Sequence, residues 1–222
     1  GGAGSLMQLL PNATLLVHPY GARHMIDPAK LELGSRAVYG DELYEKIYGE
    51  LVPVDEKRVQ IMEDGDETTL GNRTLRFIDT PGHARHHFCI HDSLTNGWFT
   101  GDTFGLSYRE FDTHNGAFVL PTTTPIQFDP DALKASIKRL AAVGPDYMYL
   151  THYGRIGDVQ AAAECLLEGV DTMTAFAEKY KDDALRGEKI EAAMNAWLLE
   201  RLHQHGVSLS DEKCLALLRP DV

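Results

Sequence analysis

Histidine or aspartate stands at three places in this chain where an apolar run rich in strand-forming residues stops: Thr80-Pro81-Gly82-His83, Thr100-Gly101-Asp102 and Thr151-His152. Imidazole nitrogen and carboxylate oxygen are donors that suit zinc, with iron or manganese compatible on ligand type. Ligands held at the ends of separate strands are rigidly placed, which suits a catalytic metal. Singly, each signal has an ordinary structural reading. A histidine after a Pro-Gly turn is a common surface or capping residue, Gly-Asp is a frequent turn dipeptide, and His152 beside Tyr153-Gly154 reads equally well as hydrogen-bonded structure. Order and phrasing together raise them above that background.

The surrounding pattern predicts how these side chains are carried. Residues 6–10 read as the end of a short helix and 13–18 as a strand; 19–54 read as irregular, with an amphipathic helix at 41–48. Strands at 58–62, 68–70 and 74–79, separated by Asp64-Gly65-Asp66 and Gly71-Asn72, predict a meander. Short strands at 87–91 and 97–100 follow, then a long loop over 104–128. Asp129-Pro130 opens a helix with Leu133, Ile137 and Leu140 on one face and Gly144-Pro145 as its stop, ahead of a buried strand at 147–150. Beyond Asp158 the apolar spacing turns helical: Val159, Ala163, Leu166, Val170 and Met173 in one helix, Ile190, Met194, Leu198 and Leu202 in a second. Ser210 caps a third, stopped by Pro220. Strand, loop, helix, strand in this order indicates an α/β or α+β sandwich.

A chain of 222 residues, 43% hydrophobic and 24% charged, is long enough for one well-buried domain with an extension. The net charge of -12 argues against a broad interface with nucleic acid or anionic membrane and leaves a small-molecule substrate as the expectation. Cys89, Cys165 and Cys214 form no CxxC, so neither a disulfide framework nor a cysteine-rich zinc knuckle is indicated. No run reaches the roughly 18 apolar residues of a membrane span, and no signal peptide is visible. The expected location is cytoplasmic.

Taken in chain order, Asp64-Gly65-Asp66, Leu70-Gly71, Leu75, Ile78, Thr80-Pro81-Gly82-His83, Phe99-Thr100-Gly101-Asp102 and Leu150-Thr151-His152 resemble the metallo-β-lactamase superfamily, nearest to its glyoxalase II-like and lactonase-like hydrolases. The resemblance covers residues 1–155 and implies an α+β fold, the αββα four-layer sandwich, here N-terminally incomplete, with 156–222 as a helical C-terminal extension. It also implies two divalent metal ions, zinc foremost, with His83 ligating one, His152 the other and Asp102 bridging both. His87 is expected behind them, orienting Asp102 or His83. Chelation by His83 with His86 or His87 is disfavoured, because a loop entering a strand gives no helix to hold the pair. In the family a His-x-His-x-Asp-His motif precedes a Gly-rich helix start. Gly1-Gly2-Ala3-Gly4 resembles that start, so the remaining ligands are expected upstream of Gly1, and His18 and His24 are expected to be satisfied polar groups near the rim.

The implied chemistry is hydrolysis of a small ester, thioester or lactone by a metal-bound hydroxide, the two ions lowering the water's pKa toward neutrality. No serine or cysteine nucleophile is required. The loop leaving Asp102 carries Tyr108, Arg109 and Phe111 as candidate substrate-pocket residues, and then Thr122-Thr123-Thr124; an ordinary packing role is equally compatible with these residues. The C-terminal helices read as a packing or homodimer-forming extension. The alternative is an inactive, truncated chain of the same fold acting as an interaction module.

Overall fold

The computed structural model describes residues 2–124 and 127–219. Gly1, at the head of the glycine-rich start, and Pro220, the expected stop of the last helix, lie outside the described residues. The chain forms two compact units, residues 1–67 and 68–222.

The first unit contains α1 (Ala3–Leu9), β1 (Leu15–Val17), α2 (Pro19–Ile26), α3 (Ala29–Tyr39), α4 (Asp41–Ile47) and β2 (Val59–Ile61). Two sequence expectations are corrected here. The stretch read as irregular holds α2 and α3 as well as the expected α4. The His18 ring accepts the Tyr20 N–H at 3.1 Å and Pro19 supplies a preset φ, so α2 starts on a cap. Arg36 of α3 bonds Glu32 one turn back, reaches Asp41 and Glu45 of α4, and lies 4.2 Å over the Tyr44 ring. α3 buries no residue at all, so apolar periodicity had nothing to report. The second correction concerns β2, expected in a meander with the strands after it. It pairs in parallel with β1 instead, Leu15 opposite Val59, a non-local partnership across three helices that hairpin spacing does not register.

The second unit is built on a six-stranded sheet ordered β3 (Glu67–Leu70, starting at the boundary), β4 (Arg73–Asp79), β5 (Phe88–Asp92), β6 (Gly97–Phe99), β7 (Tyr147–Tyr149) and β8 (Arg155–Ile156). The β4–β5, β5–β6 and β7–β8 pairs are antiparallel. β6 and β7 are parallel, as a crossover through α5 (Pro130–Ala141) demands. Consequently β4, β6 and β7 point the same way and their C-terminal ends share one edge of the sheet. α5 begins on Asp129, whose carboxylate accepts the Ala132 N–H at 3.0 Å.

Ile78, Cys89, Trp98 and Met148 of the sheet pack with Leu133, Ile137 and Leu140 of α5 and with Val159, Ala163, Leu166 and Val170 of α6 (Val159–Tyr180) in one core. The first turns of α6 therefore share the core of the sheet. Leu198 and Leu202 of α7 (Arg186–His205) and Cys214 and Leu218 of α8 (Asp211–Leu218) form a second cluster with Leu106, Phe111, Phe118 and Leu120 of the long loop. Ser210 precedes α8 as expected but makes no side-chain cap bond. Among the described residues no helix is long and apolar enough to cross a membrane.

Candidate functional site

The shared sheet edge brings the three sequence-marked residues together. The Asp102 carboxylate stands between two imidazoles, with His83 Nε2 3.5 Å from Oδ2 and His152 Nε2 3.4 Å from Oδ1. His83 is mostly buried, Asp102 is part-buried and His152 is open to solvent. Asp102 Oδ1 is buried and has no hydrogen-bond partner among the described residues. Burial holds the His83 imidazole below its ordinary pKa, opposed by the Asp102 carboxylate and a hydrogen bond with the Thr122 backbone and reinforced by His152.

Each residue is held by its neighbours' backbones. After β4 the chain turns through Pro81-Gly82, whose carbonyls accept Ser136 Oγ at 2.7 Å and the Asp129 N–H at 2.8 Å, so α5 fixes the approach to His83. His152 lies in the tight turn between β7 and β8 that Leu150 N–H closes onto the Gly154 carbonyl at 2.8 Å. Asp102 follows Gly101, whose φ is +50°; a Cβ there would sit 2.2 Å from the His87 ring.

That ring explains the crowding. His87 Nε2 accepts the Asp102 backbone N–H at 2.9 Å, which places the ring proton on Nδ1, facing Thr103 Oγ1 at 3.0 Å. Thr103 Oγ1 donates to Thr80 Oγ1 at 3.2 Å, Thr80 Oγ1 meets Cys89 Sγ at 3.3 Å, and the Cys89 thiol donates to the Thr100 carbonyl at 3.3 Å. Both His87 nitrogens are thus engaged inside the protein, and His86 is exposed on the loop. Burial pushes the Cys89 thiol up to about 12, with the hydroxyl contacts to Thr80 and Thr103 opposing it. Native-state alkylation with iodoacetamide at neutral pH is therefore expected at the half-buried Cys165 and not at Cys89; peptide mapping that finds Cys89 labelled before unfolding contradicts a closed relay.

Three threonines that sequence reasoning assigned no role in the site complete it. Thr122 Oγ1 lies 2.8 Å from His83 Nδ1 and donates to the Asp102 carbonyl at 3.0 Å, while Thr124 Oγ1 donates to the His83 carbonyl at 2.7 Å. The third is Thr103. The run Thr122-Thr123-Thr124 was visible only as composition, since its partners lie about 20 and 40 residues away in the chain.

The candidate pocket residues are arranged differently from one another. Arg109 is exposed, lies 3.8 Å over the Tyr153 ring and donates to the Tyr153 carbonyl at 3.3 Å. Tyr108 is half-buried against the second core cluster. Phe111, expected on a pocket wall, is fully buried among Tyr108, Phe118 and the α7 and α8 leucines, because the loop carries enough large apolar residues to form a core of its own. A cavity of about 790 Å³ opens elsewhere, between Phe118, Tyr153, Arg155, Cys165, Arg201 and His205; His83, Asp102 and His152 do not line it.

Residues 1–152 match the family model of the metallo-beta-lactamase superfamily, more than half of the chain. The chain belongs to the metallo-beta-lactamase superfamily. Among curated relatives of this superfamily member, the metallo-beta-lactamase fold-containing protein ST1585 of Sulfurisphaera tokodaii is 34% identical over 128 residues, covering 57% of this chain and 44% of that protein. The crystal structure of ST1585 superposes with a TM-score of 0.62 at 28% identity, covering 77% of this chain and 61% of that one. A hydroxyacylglutathione hydrolase of Rhizobium etli is 26% identical over 141 residues, 59% of this chain and 54% of that protein. A human acyl-coenzyme A thioesterase, MBLAC2, is 43% identical over a shorter stretch of 42 residues, 19% of this chain and 15% of that protein. The chain thus spans about half the length of the first two of these curated relatives. The mixed α+β architecture is that of this superfamily, and the C-terminal helices α6 to α8 follow the matched residues.

Proposed function

We propose that this chain contributes His83, Asp102 and His152 to the metal centre of a metal-dependent hydrolase of small acyl thioesters, with esters and lactones as the neighbouring substrate classes. The observation that carries this reading is the Asp102 carboxylate set between two imidazole Nε2 atoms, with Oδ1 buried and unpartnered among the described residues. A buried carboxylate oxygen without a donor is costly in itself and fits a position meant for a cation. Nitrogen and oxygen donors of this kind fit zinc, iron or manganese. A divalent ion bound there supplies Lewis acidity that lowers the pKa of a coordinated water and polarises a carbonyl.

The chain's own residues then have distinct tasks. Asp102 presents its carboxylate from a backbone pinned at its N–H by His87 and at its carbonyl by Thr122. His83 is sheltered by burial, and His152 is open to solvent, where a substrate can reach it. Arg109, stacked on Tyr153 next to His152, is placed to meet an anionic part of the substrate. The thioester preference draws on the hydroxyacylglutathione hydrolase and acyl-coenzyme A thioesterase relatives.

A second reading, an inactive chain acting as an interaction module, is favoured by one observation. Among the described residues no group of three or more His, Cys, Asp or Glu side chains is gathered closely enough to hold an ion by itself. Metal analysis and turnover separate the two. The expected result is a bound divalent ion, hydrolysis of acyl thioesters that chelator abolishes, and recovery on adding zinc, iron or manganese. Turnover indifferent to chelator overturns the metal-dependent reading, and a chain that retains no ion and turns over no substrate supports the second one.

A further inference from the structure

The hydrogen bonds around Thr122 determine which nitrogen of His83 carries the proton. A threonine hydroxyl has one hydrogen, and the Asp102 carbonyl can only accept, so the 3.0 Å contact uses that hydrogen. The 2.8 Å contact to His83 Nδ1 is then a bond only if the ring donates through Nδ1–H. Nε2, the atom facing Asp102 at 3.5 Å, is left with its lone pair. Thr124 holds the other end of the same residue by donating to the His83 carbonyl at 2.7 Å, so ring and backbone are both registered by one short loop.

We propose that Thr122 is a positioning residue that locks His83 in its Nδ1–H tautomer and ties it to the Asp102 backbone, so that the ion-binding lone pair is formed before any ion arrives. His87 holds the same Nδ1–H tautomer, but its Nε2 lone pair is spent on the Asp102 N–H and it is thereby kept out of coordination. The two histidines of one loop, each with a threonine hydroxyl at Nδ1, are sorted into different tasks by what Nε2 faces, the Asp102 carboxylate for His83 and the Asp102 N–H for His87. This tautomer follows from the chain's own hydrogen bonds and does not depend on which substrate the protein hydrolyses.

The test is long-range proton–nitrogen NMR of histidine-labelled, ion-free protein, with the His83 resonances assigned by their loss in His83→Gln. His83 in the wild type and in Thr122→Ser is expected to show protonated Nδ1 and bare Nε2. In Thr122→Val, which keeps the shape and removes the hydroxyl, the ring is expected to shift toward Nε2–H, with zinc affinity by titration falling about 10-fold or more. Wild-type His83 carrying its proton on Nε2 overturns the proposal without recourse to any variant. So does a Thr122→Val protein whose His83 spectrum and zinc affinity match the wild type. Loss of thioesterase activity with these readouts intact would count against the proposed function and leave the tautomer lock standing.

Discussion

Asp102→Ala is expected to remove ion binding at this edge of the sheet and to lower kcat/KM for an acyl thioester by about 10³-fold or more, a transition-state loss of about 4 kcal/mol. The size follows from position, since among the described residues this carboxylate is the one that faces both His83 and His152. Alanine deletes both oxygens, leaving two imidazoles with no anion between them. The fold is expected to survive: the carboxylate's ionic contacts among the described residues are to the His83 and His152 imidazoles, and the backbone groups of Asp102 that engage His87 and Thr122 remain in the variant. Asp102→Asn, close in shape but uncharged, is expected to fail nearly as badly, which separates charge from packing. Elemental analysis, steady-state kinetics and a thermal melt on the same preparations decide it. A variant that keeps its ion and turns over within a few-fold of wild type removes Asp102 from the centre.

The second large effect is on stability. Gly82→Ala is expected to destabilise the protein by about 3 kcal/mol, combining strain at a φ reserved for glycine with overpacking. Gly82 has φ +128°, and a Cβ would lie 2.2 Å from the Leu133 nitrogen and 2.3 Å from its Cα. Those are backbone atoms of the first turn of α5, so no side chain can swing aside. Relief requires the turn before His83 to lift from the helix, so the same change is expected to weaken ion binding as well. Equilibrium urea unfolding measures the first effect as a lower midpoint at unchanged slope. A midpoint equal to wild type would show that the turn is not clamped against α5. Gly101→Ala, which meets the His87 ring rather than backbone, is expected to cost less because a side chain can yield.

Alkaline pH acts through Cys89 in a direction that can be stated. Its folded-state pKa of about 12 lies above the ordinary 9.0, so the folded state keeps the proton longer than the unfolded chain. The stability this represents is complete below about pH 9 and declines as pH rises toward 12.

His83, Asp102 and His152 stood out as candidates because each follows an apolar strand, and because their chain order resembles that of a known family. The helices α5 to α8 were legible for a related reason: their buried faces repeat at helical spacing, and Asp129-Pro130 and Gly206 punctuate them. α3 was hidden because it buries nothing and is tied to α4 through Arg36, a charged bridge with no periodic signature, and α2 because it buries only Gly21 and Ala22. Phe111 was misplaced for the converse reason. An aromatic in a long loop reads as accessible, and only the arrival of α7 and α8 makes that loop a core.

Local residue type and spacing therefore determined which donors this protein carries and that they sit at strand ends, because turns and apolar alternation are properties of neighbouring residues. Tertiary structure alone decided that β4, β6 and β7 run in one direction, so that the three donors meet, and that Thr122 and His87 stand behind them. Those relations depend on strand direction and on hydroxyl and imidazole partners many residues apart, which no local pattern encodes.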